Sequence, residues 1–577
     1  MKKTKADLSF CKNPVRRYFV LPAVICFPNT RQDLWASLCC GLFIAFLSPS
    51  LYAQTDTLTV RGKVENLSVR LYRQAPEITV ARVNILQANR EIVRAAPLQP
   101  DGSFELKMPL VYPLEECYLT YANVVMPFLG AKGTVKVTLN GDSLTKSDVP
   151  LQFEGIHAAT NNRHAQFYAD FNKWLKANPE KPVKAANAML FWEKAASERQ
   201  RKIDFYRAYT KGKDALLDQW VTSSLNEAAK AQLYNYLTQQ QQTLPLALSA
   251  AAELDTNRFF TFAKADSYRQ FTNYALATTP NVPESSLPVS TLARLILQYV
   301  PNITPADSLK LVSYTQGETA KMRELKWLSN LFNRKEDTLR MIVAYELFTR
   351  KFGAAHSVKE LDYLKAAFYA ENINNFSLKN LTLWYNHLRP SLQNPYYARS
   401  LDELHHIESL DSAVIRTAES KIATATVDDP LEVMPGIWLA DTPSYPNETM
   451  LWNQLKRKFK GTIVYFLFWT NDEWGRRALA EANALRASMP PNSVEFVYVS
   501  EYKTNDDVWR EAAIKSRSRG LHLKVDESQN DYLVAEWAIT QVPYAVLIDA
   551  NGKYIRRDAP LPADREGWNK IWTKIFK

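Results

Sequence analysis

The 577-residue sequence predicts a multidomain α+β protein. Three successive hydrophobic patterns predict it: apolar and polar residues alternate from about Thr57 to Ile156, helical periodicity follows up to about Ala425, and continuous apolar runs then alternate with amphipathic segments. We therefore expect a signal segment at 1–53, a β-sandwich at 54–156, an irregular helical domain at 157–425, a linker at 426–448 and an α/β domain at 449–577.

The first 53 residues have the features of an export signal. A basic leader precedes the apolar run LWASLCCGLFIAFL from Leu34, and SPSLYAQ then offers a cleavage point after Ala53. The apolar run is shorter than the roughly 20 residues that a membrane span needs, and Pro49 closes it. If the segment is cleaved, we expect a soluble exported protein. If it is retained, we expect it to anchor the protein in a membrane.

Charge and cysteine content narrow the functional classes. Residues 1–53 hold seven Lys or Arg and two Asp or Glu, so the net charge of the rest falls from +11 to about +6. No basic block interleaved with aromatic residues occurs, which argues against nucleic-acid binding.

Four of the five cysteines lie in the first 53 residues, which leaves Cys117 with no partner for an intramolecular disulfide. Its strand-like context favours an inert buried side chain over a free reactive thiol.

The alternating region predicts about seven short strands, with hairpin turns at Asp101-Gly102 and Asn140-Gly141. The PDGSF turn between strands and the closing LQFEGI resemble a small β-domain of unknown function. That domain precedes thioredoxin-like domains in many exported proteins of Gram-negative bacteria. The resemblance implies a location in the periplasm or cell envelope of such a bacterium.

The middle region has the 3.6-residue periodicity of amphipathic helices. Phe167, Phe171, Trp174 and Leu175 fall on one helix face, and similar stretches continue to residue 422, among them 306–332 and 398–422. No signature recurs at a fixed period, so the sequence predicts an irregular bundle in preference to a solenoid.

The last region predicts a sheet covered on both faces by helices. The apolar strand TIVYFLFW ends at Trp469, a helix starts near Glu473, the strand VEFVYVS follows, and Val542-Pro543 precedes the strand YAVLID. This order resembles the thioredoxin superfamily, specifically its exported TlpA-like branch, over about 130 residues. The resemblance implies an α/β thioredoxin fold.

The redox motif of that family is absent. The family places its two cysteines four and seven residues after the strand tryptophan, which here gives Glu473 and Arg476. A carboxylate cannot attack a disulfide, and a guanidinium cannot resolve a mixed disulfide. Glu473 suits a helix N-terminus, and Arg476 can pair with it at i+3. We therefore predict a structural replacement; a new catalytic dyad or a polar ligand site are the alternatives.

Peptide binding at this site would not require the two cysteines. Val542-Pro543 matches the family's cis-proline, which implies a backbone able to hold an extended peptide, with Trp469 and Trp474 as further candidate contacts. Alternatively, Pro543 shapes the turn into a core strand.

No metal or cofactor is predicted. His405 and His406 are adjacent and point in different directions on a helix, and no phosphate-binding or zinc-binding motif occurs. The leading hypothesis is a binding or assembly module of the cell envelope without dithiol redox activity, with an extended polypeptide or an envelope protein as partner. The alternative is a thioredoxin-superfamily oxidoreductase or peroxidase-like enzyme that uses Cys117 as a lone nucleophile.

Overall fold

The computed structural model describes residues 56–144, 146–180, 183, 185–209, 214–280, 287–442 and 447–575. The predicted signal segment at 1–53 lies outside these residues. The described chain divides into two compact units: residues 275–361 form the smaller one, and residues 56–274 together with 362–575 form the larger one. Helices and three β-sheets make the protein a multidomain α+β structure, as the sequence predicts.

The larger unit begins with eight strands in two sheets that share one apolar core. The strands are β1 Asp56–Glu65, β2 Glu77–Asn84, β3 Gln87–Pro97, β4 Ser103–Leu110, β5 Leu114–Tyr121, β6 Val124–Ala131, β7 Gly133–Asn140 and β8 Leu151–Gly155, and a short helix α1, Val69–Gln74, follows β1. The strand orders are β4-β1-β7-β8 and β3-β2-β5-β6. Alternate side chains of both sheets, such as Val60 and Leu119, fill the core between them.

The predicted turn at Asp101-Gly102 joins the two sheets. Gly102 has a φ of +83°, and a Cβ added there would collide with the carbonyl oxygen of Val64. The strands on either side, β3 and β4, belong to different sheets. The turn therefore links two layers of the sandwich and does not form a hairpin between paired strands.

Helices occupy most of the chain from residue 158 to residue 421. They are α2 Ala158–Ala177, α3 Ala188–Tyr209, α4 Ala215–Gln240, α5 Ser249–Ala252, α6 Phe262–Thr278, α7 Val289–Tyr299, α8 Pro305–Thr315, α9 Met322–Asn333, α10 Glu336–Gly353, α11 Val358–Asn372, α12 Leu378–Leu388, α13 Pro395–Ser409 and α14 Ser412–Lys421. Two stretches that the sequence predicts as single helices are divided. Gly317, at a φ of +107°, follows the end of α8, and 398–422 is split between α13 and α14.

The smaller unit contains α7 to α10. Buried side chains of α7, among them Leu292 and Ile296, pack towards α8 and α10. The hydroxyl of Thr304 accepts a hydrogen bond from the Asp307 N–H at 3.1 Å, and Pro305 occupies the first position of α8. A polar cap followed by proline therefore fixes the start of this helix.

The chain ends in a seven-stranded sheet with helices on both faces. Its elements are β10 Leu431–Met434, β11 Ile437–Asp441, α15 Thr449–Lys458, β12 Ile463–Trp469, α16 Glu473–Ala487, β13 Val494–Ser500, α17 Asp506–Ser516, β14 Gly520–Lys524, α18 Glu527–Trp537, β15 Tyr544–Ile548, β16 Tyr554–Arg556 and α19 Arg565–Ile575. The strand order is β10-β11-β14-β13-β12-β15-β16. The pairs β11–β14, β14–β13 and β13–β12 are parallel, whereas the pairs β10–β11, β12–β15 and β15–β16 are antiparallel.

The central position of β12 in the sheet explains why its sequence is continuously apolar. Tyr465, Leu467 and Trp469 point into the core on one face of the sheet, and Val464 and Phe466 point into the core on the other. Side chains of α14 contribute to the first of these cores, so the helical region covers part of this sheet. The predicted linker at 426–448 contains β10 and β11, two strands of the sheet. Among the helices that the structure describes, none has both the length and the hydropathy needed to cross a bilayer.

The β-sandwich and the helices of the larger unit are joined through backbone pairing. A two-residue strand, β9 (Phe259–Phe260), pairs in parallel with β5. Asn161 on α2 exchanges hydrogen bonds with both the N–H and the carbonyl of Leu129 on β6, at 2.8 and 3.2 Å. The sandwich therefore shares its second sheet with the helical region.

A carboxylate of the sandwich also caps α6. Glu116 Oε2 accepts a hydrogen bond from the N–H of Phe262, the first residue of α6, at 2.9 Å. Glu116 is buried, and burial raises its pKa to about 7, although the hydrogen bonds from Phe262 and Trp220 oppose the shift. The adjacent Glu115 is fully buried beside Arg82, with burial again raising the carboxyl pKa to about 7.

We expect Glu116→Gln to flatten the dependence of stability on pH. Because the folded-state pKa lies above the ordinary value of 4.5, the carboxyl contributes most below pH 4.5, and its contribution falls as the pH rises towards 7. The amide keeps an acceptor for the Phe262 N–H and does not titrate. Urea unfolding at pH 5 and pH 8 should show a gain of about 2 kcal/mol for the variant at pH 8.

Glu105→Gln on the exposed side of β4 is the matched control. It should leave the pH profile unchanged. An unaltered profile in Glu116→Gln would contradict the assignment of Glu116 as a buried titrating cap.

Candidate functional site

The carboxyl end of β12 leads through a tight turn into α16. Asp472 is the N-cap: its Oδ1 accepts a hydrogen bond from the Gly475 N–H at 2.8 Å, and its Oδ2 accepts one from the Thr470 hydroxyl at 2.6 Å. Gly475 lies so close to the strand end that an added Cβ would collide with the Thr470 carbonyl oxygen. Glu473 is the first residue of the helix and is exposed.

Arg476 does not form the predicted pair with Glu473. Its Nε donates to Asn471 Oδ1 at 2.7 Å, and its Nη2 donates to the Asn374 carbonyl oxygen at 2.8 Å. Asn471 Nδ2 donates to the same carbonyl, also at 2.8 Å. The guanidinium is drawn inward because this carbonyl offers a fixed acceptor, while Glu473 faces solvent. We call these three residues, Asn471, Arg476 and Asn374, the Asn374 clamp.

The clamp joins the α/β domain to the helical region through Arg476, one of the two positions that the sequence resemblance aligns with cysteines. Burial lowers the pKa of Arg476 to about 10, against the attraction of Glu408 and Glu511, so the guanidinium stays charged at neutral pH. A charged donor strengthens both hydrogen bonds. The arginine therefore acts as a contact between domains in this structure.

A chain of ion pairs lies beside the clamp. Arg90 of β3 pairs with Glu408 of α13 at 2.8 Å, Glu408 pairs with Lys515 of α17 at 2.7 Å, and Lys515 pairs with Glu511 at 3.3 Å. Glu511 Oε1 in turn accepts a hydrogen bond from the N–H of Leu378, the first residue of α12, at 2.6 Å. The chain links all three regions of the larger unit.

Burial and charge act in opposite directions on these carboxyls. Burial alone would raise the pKa of Glu408, but Lys515 and Arg90 outweigh it and hold the pKa below its ordinary value. For Glu511 burial prevails, and the pKa is raised despite Lys515 and the Leu378 N–H. Glu408 is therefore the firmly ionised member of the chain.

The predicted peptide-binding residues differ in accessibility. Trp474, the second residue of α16, is 67% exposed, whereas Trp469 is fully buried at the end of β12 and offers no surface to a ligand. The Val542-Pro543 bond is cis, and both residues are half-buried just before β15. Trp474, Val542 and Pro543 thus remain as candidate contacts.

Cys117 lies in a different core from the α/β domain. Its side chain is fully buried in the β-sandwich, where Sγ lies 3.8 Å from the carbonyl oxygen of Glu115. Burial, reinforced by Glu115, raises the pKa of the thiol well above its ordinary value. The structure therefore does not bring Cys117 to the positions of Glu473 and Arg476.

His405 belongs to an aromatic cluster. Its ring stacks on Tyr385 at a centroid distance of 4.1 Å, and Nδ1 lies 3.0 Å from the Tyr369 hydroxyl. Burial lowers the pKa of His405 to about 4, so the ring is neutral at pH 7. Within the described ranges no group of three or more His, Cys, Asp or Glu side chains is arranged to hold a metal ion.

The residues that surround Arg476 were not predicted as functional from the sequence. Asn374 acts through its backbone carbonyl, for which side-chain chemistry gives no signal. Glu511 had a signal, because it falls on the buried face of α17 among Val508, Ala512 and Ala513. A carboxylate on an apolar helix face indicates a specific buried partner.

Comparisons with solved structures give a likeness over about one-fifth of the chain. A thioredoxin domain of a thiol-disulfide oxidoreductase from Bacteroides vulgatus is 18% identical, covers 21% of this chain and 83% of its own, and has a TM-score of 0.19. A thiol:disulfide interchange protein from Bacteroides sp. is 17% identical, covers 21% of this chain and 78% of its own, also at a TM-score of 0.19. No protein-family profile matches the chain, and no curated protein matches it.

The sheet itself has a thioredoxin-like arrangement. The parallel strands β12 and β13 are connected through α16, β15 runs antiparallel to β12 after a cis-proline, and helices cover both faces. This description applies to about one-fifth of the chain and concerns fold alone.

We expect Arg476→Met to loosen the contact between the domains. The substitution keeps an unbranched apolar stem and removes two charge-assisted hydrogen bonds, so it should lower the free energy of unfolding by about 2 kcal/mol. Hydrogen exchange at Asn374 and Asn375, in the turn after α11, should accelerate. Arg477→Met, on the exposed side of the same helix, should change stability by less than about 0.5 kcal/mol. Equal effects of the two substitutions would refute the clamp.

We expect Cys117 to resist modification in the folded protein. A buried thiol with a raised pKa supplies almost no accessible thiolate. Maleimide or peroxide treatment followed by mass spectrometry of the Cys117 peptide should show modification only under unfolding conditions. A Val125→Cys variant, on a 50%-exposed position of the adjacent strand β6, should label rapidly and serve as the control. Fast labelling of Cys117 in native protein would contradict its inert role.

Proposed function

We propose that this chain is an exported protein of the cell envelope whose thioredoxin-like domain serves binding and assembly and performs no dithiol chemistry. One observation carries the proposal: Arg476, at the position of the family's second cysteine, is occupied in the Asn374 clamp. A guanidinium held in this contact has no sulfur with which to form or resolve a mixed disulfide. Export is supported by the features of the first 53 residues.

The alternative, an oxidoreductase or peroxidase-like enzyme, needs a nucleophile. Cys117 would have to supply it, because Glu473 and Arg476 carry no thiol. In the sandwich core Cys117 has no exposure to solvent, and burial disfavours its thiolate. Catalysis through Cys117 would therefore require the sandwich to open.

The proposed binding surface lies at the start of α16. Trp474 is the most exposed large aromatic side chain in the described part of the chain, and it projects from a helix end that the N-cap Asp472 holds rigidly. Exposed aromatic side chains on rigid elements are common anchors in protein interfaces. The half-buried Val542 and Pro543 supply backbone groups of the kind that pair with an extended peptide. We propose an extended polypeptide as the ligand.

We expect the full chain to bind an unfolded polypeptide through Trp474. A labelled carboxymethylated lactalbumin, which has no free thiol, serves as the probe in fluorescence anisotropy. Trp474→Ala should weaken binding about tenfold, because it removes an exposed anchor without touching a core. Met450→Ala, at a 44%-exposed position of α15 in the same domain, is the control and should bind as the unaltered chain does.

The same preparation should fail to catalyse the reduction of insulin by dithiothreitol, with a dithiol thioredoxin as the positive control. Polypeptide binding without insulin reduction would support the proposal. Absence of binding would refute the binding role, and insulin reduction would show that an unidentified site performs redox chemistry.

A further inference from the structure

A polar cavity of ≈ 520 Å³ lies among α3, α4 and the segment that follows α5. One of its walls is a single stripe along α4, spaced as residues of one helix face are, that carries only polar side chains. The stripe consists of Gln219, Thr222, Ser223, Asn226, Glu227 and Lys230. Grooves between packed helices are ordinarily filled by apolar side chains. Gln219, Ser223 and Asn226 present amide and hydroxyl groups to an open space, whereas Glu227 and Lys230 bond to each other at its base.

The wall from α3 supplies an aromatic surface. Trp192 and Arg199 both line the cavity, and the guanidinium carbon of Arg199 lies 5.7 Å from the centroid of the Trp192 ring. Trp192 is half-buried. The indole and the guanidinium together give this wall an aromatic group and a hydrogen-bond donor, a pair that suits the C–H and O–H groups of a ligand.

The third wall is a loop held from below by a buried lysine. The Asn257 N–H donates to Asp255 Oδ1 at 2.9 Å, and Asn257 Oδ1 accepts from Lys264 Nζ at 3.1 Å. Lys264 also donates to the carbonyl oxygens of Asn257 and Phe259, each at 3.1 Å, and its side chain is 1% exposed. A buried cation is costly unless it is fully hydrogen-bonded, so its placement indicates a loop with a fixed conformation.

The base of the α4 wall is equally fixed. The Glu227 carboxylate, with its side chain 2% exposed, accepts hydrogen bonds from Ser267 and from Lys230 Nζ, the latter at 2.8 Å. Lys230 also donates to the Glu253 carbonyl oxygen at 2.7 Å. The cavity lining therefore carries two cations, Arg199 and Lys230, and two carboxylates, Glu227 and Asp255.

We propose that this cavity binds a neutral carbohydrate of one or two rings. The balanced charges give no preference for an anion or a cation, whereas the many amide, carboxylate and hydroxyl groups match a ligand rich in hydroxyls. The indole of Trp192 provides packing for the apolar face of a sugar ring. The volume falls in the range of about 300 to 1,000 Å³ that small-molecule sites occupy. This site is independent of the binding surface at Trp474.

The test uses the full chain. Saturation-transfer NMR and calorimetry with glucose, galactose, mannose, N-acetylglucosamine, maltose and cellobiose should reveal at least one sugar with a Kd below about 1 mM. Trp192→Ala and Asn226→Ala should each weaken its binding about tenfold. Gln240→Ala, an exposed position at the end of α4 outside the cavity, should leave it unchanged. Unfolding curves verify that each variant is folded.

Two results would overturn the proposal. One is that none of these sugars binds, including the case in which inorganic phosphate binds and the sugars do not, since that would identify an anion site. The other is that a sugar binds equally well to both cavity variants, which would place it elsewhere. Peptide binding at Trp474 is measured separately, so failure of one proposal does not decide the other.

Discussion

Buried carboxylates that cap helices of another region hold the larger unit together. Glu116 of the β-sandwich accepts the first N–H of α6, and Glu511 of the α/β domain accepts the first N–H of α12. The free N–H groups of a helix start need acceptors, and the positive end of the helix favours a negative charge. In both cases a helix of the helical region begins at a carboxylate that a flanking region supplies. The β-sandwich, the α/β domain and the parts of the helical region at 157–274 and 362–425 therefore form one structural unit.

The turn from β12 into α16 places a charged side chain at a boundary between regions of the larger unit. The tight turn at Gly475 and the N-cap Asp472 position the start of α16. Arg476 uses that position to reach the Asn374 carbonyl. The geometry of this turn places a cation at a domain boundary, beside the ion pairs of Glu408 and Lys515.

Hydrophobic periodicity was sufficient to predict element types, because each element buries one face or both. The continuous apolar run of β12 and the alternation in the sandwich are direct consequences of that burial. Hydrophobic periodicity could not predict which strands pair or which elements pack together. The turn at Gly102 gives no sign that its strands belong to different sheets, and β9 has only two residues. Division of the helical region into two units depends on packing between distant segments, which a single sequence does not record.

The same limit applies to the candidate site. Replacement of both cysteines was visible in the sequence, but the expected pair of Glu473 with Arg476 was wrong. A local spacing rule could not take account of an acceptor 102 positions away along the chain. The burial of Trp469 follows from its place at the end of a strand that is covered on both faces. The helix-end positions Glu473 and Trp474 stay exposed because the chain there has just left the sheet.

Buried pairs with large sequence separation set an order of events during synthesis. Arg82 and Glu403, which form an ion pair in the finished protein, are 321 positions apart. At a translation rate of about 5 to 20 residues per second, Arg82 emerges roughly 15 to 65 seconds before its partner. Throughout that interval Arg82 has only the partners that the sandwich supplies, the Glu115 carboxylate at 3.6 Å and the Pro109 carbonyl oxygen at 2.8 Å. The contact between Arg82 and Glu403 can therefore form only after most of the polypeptide has been made.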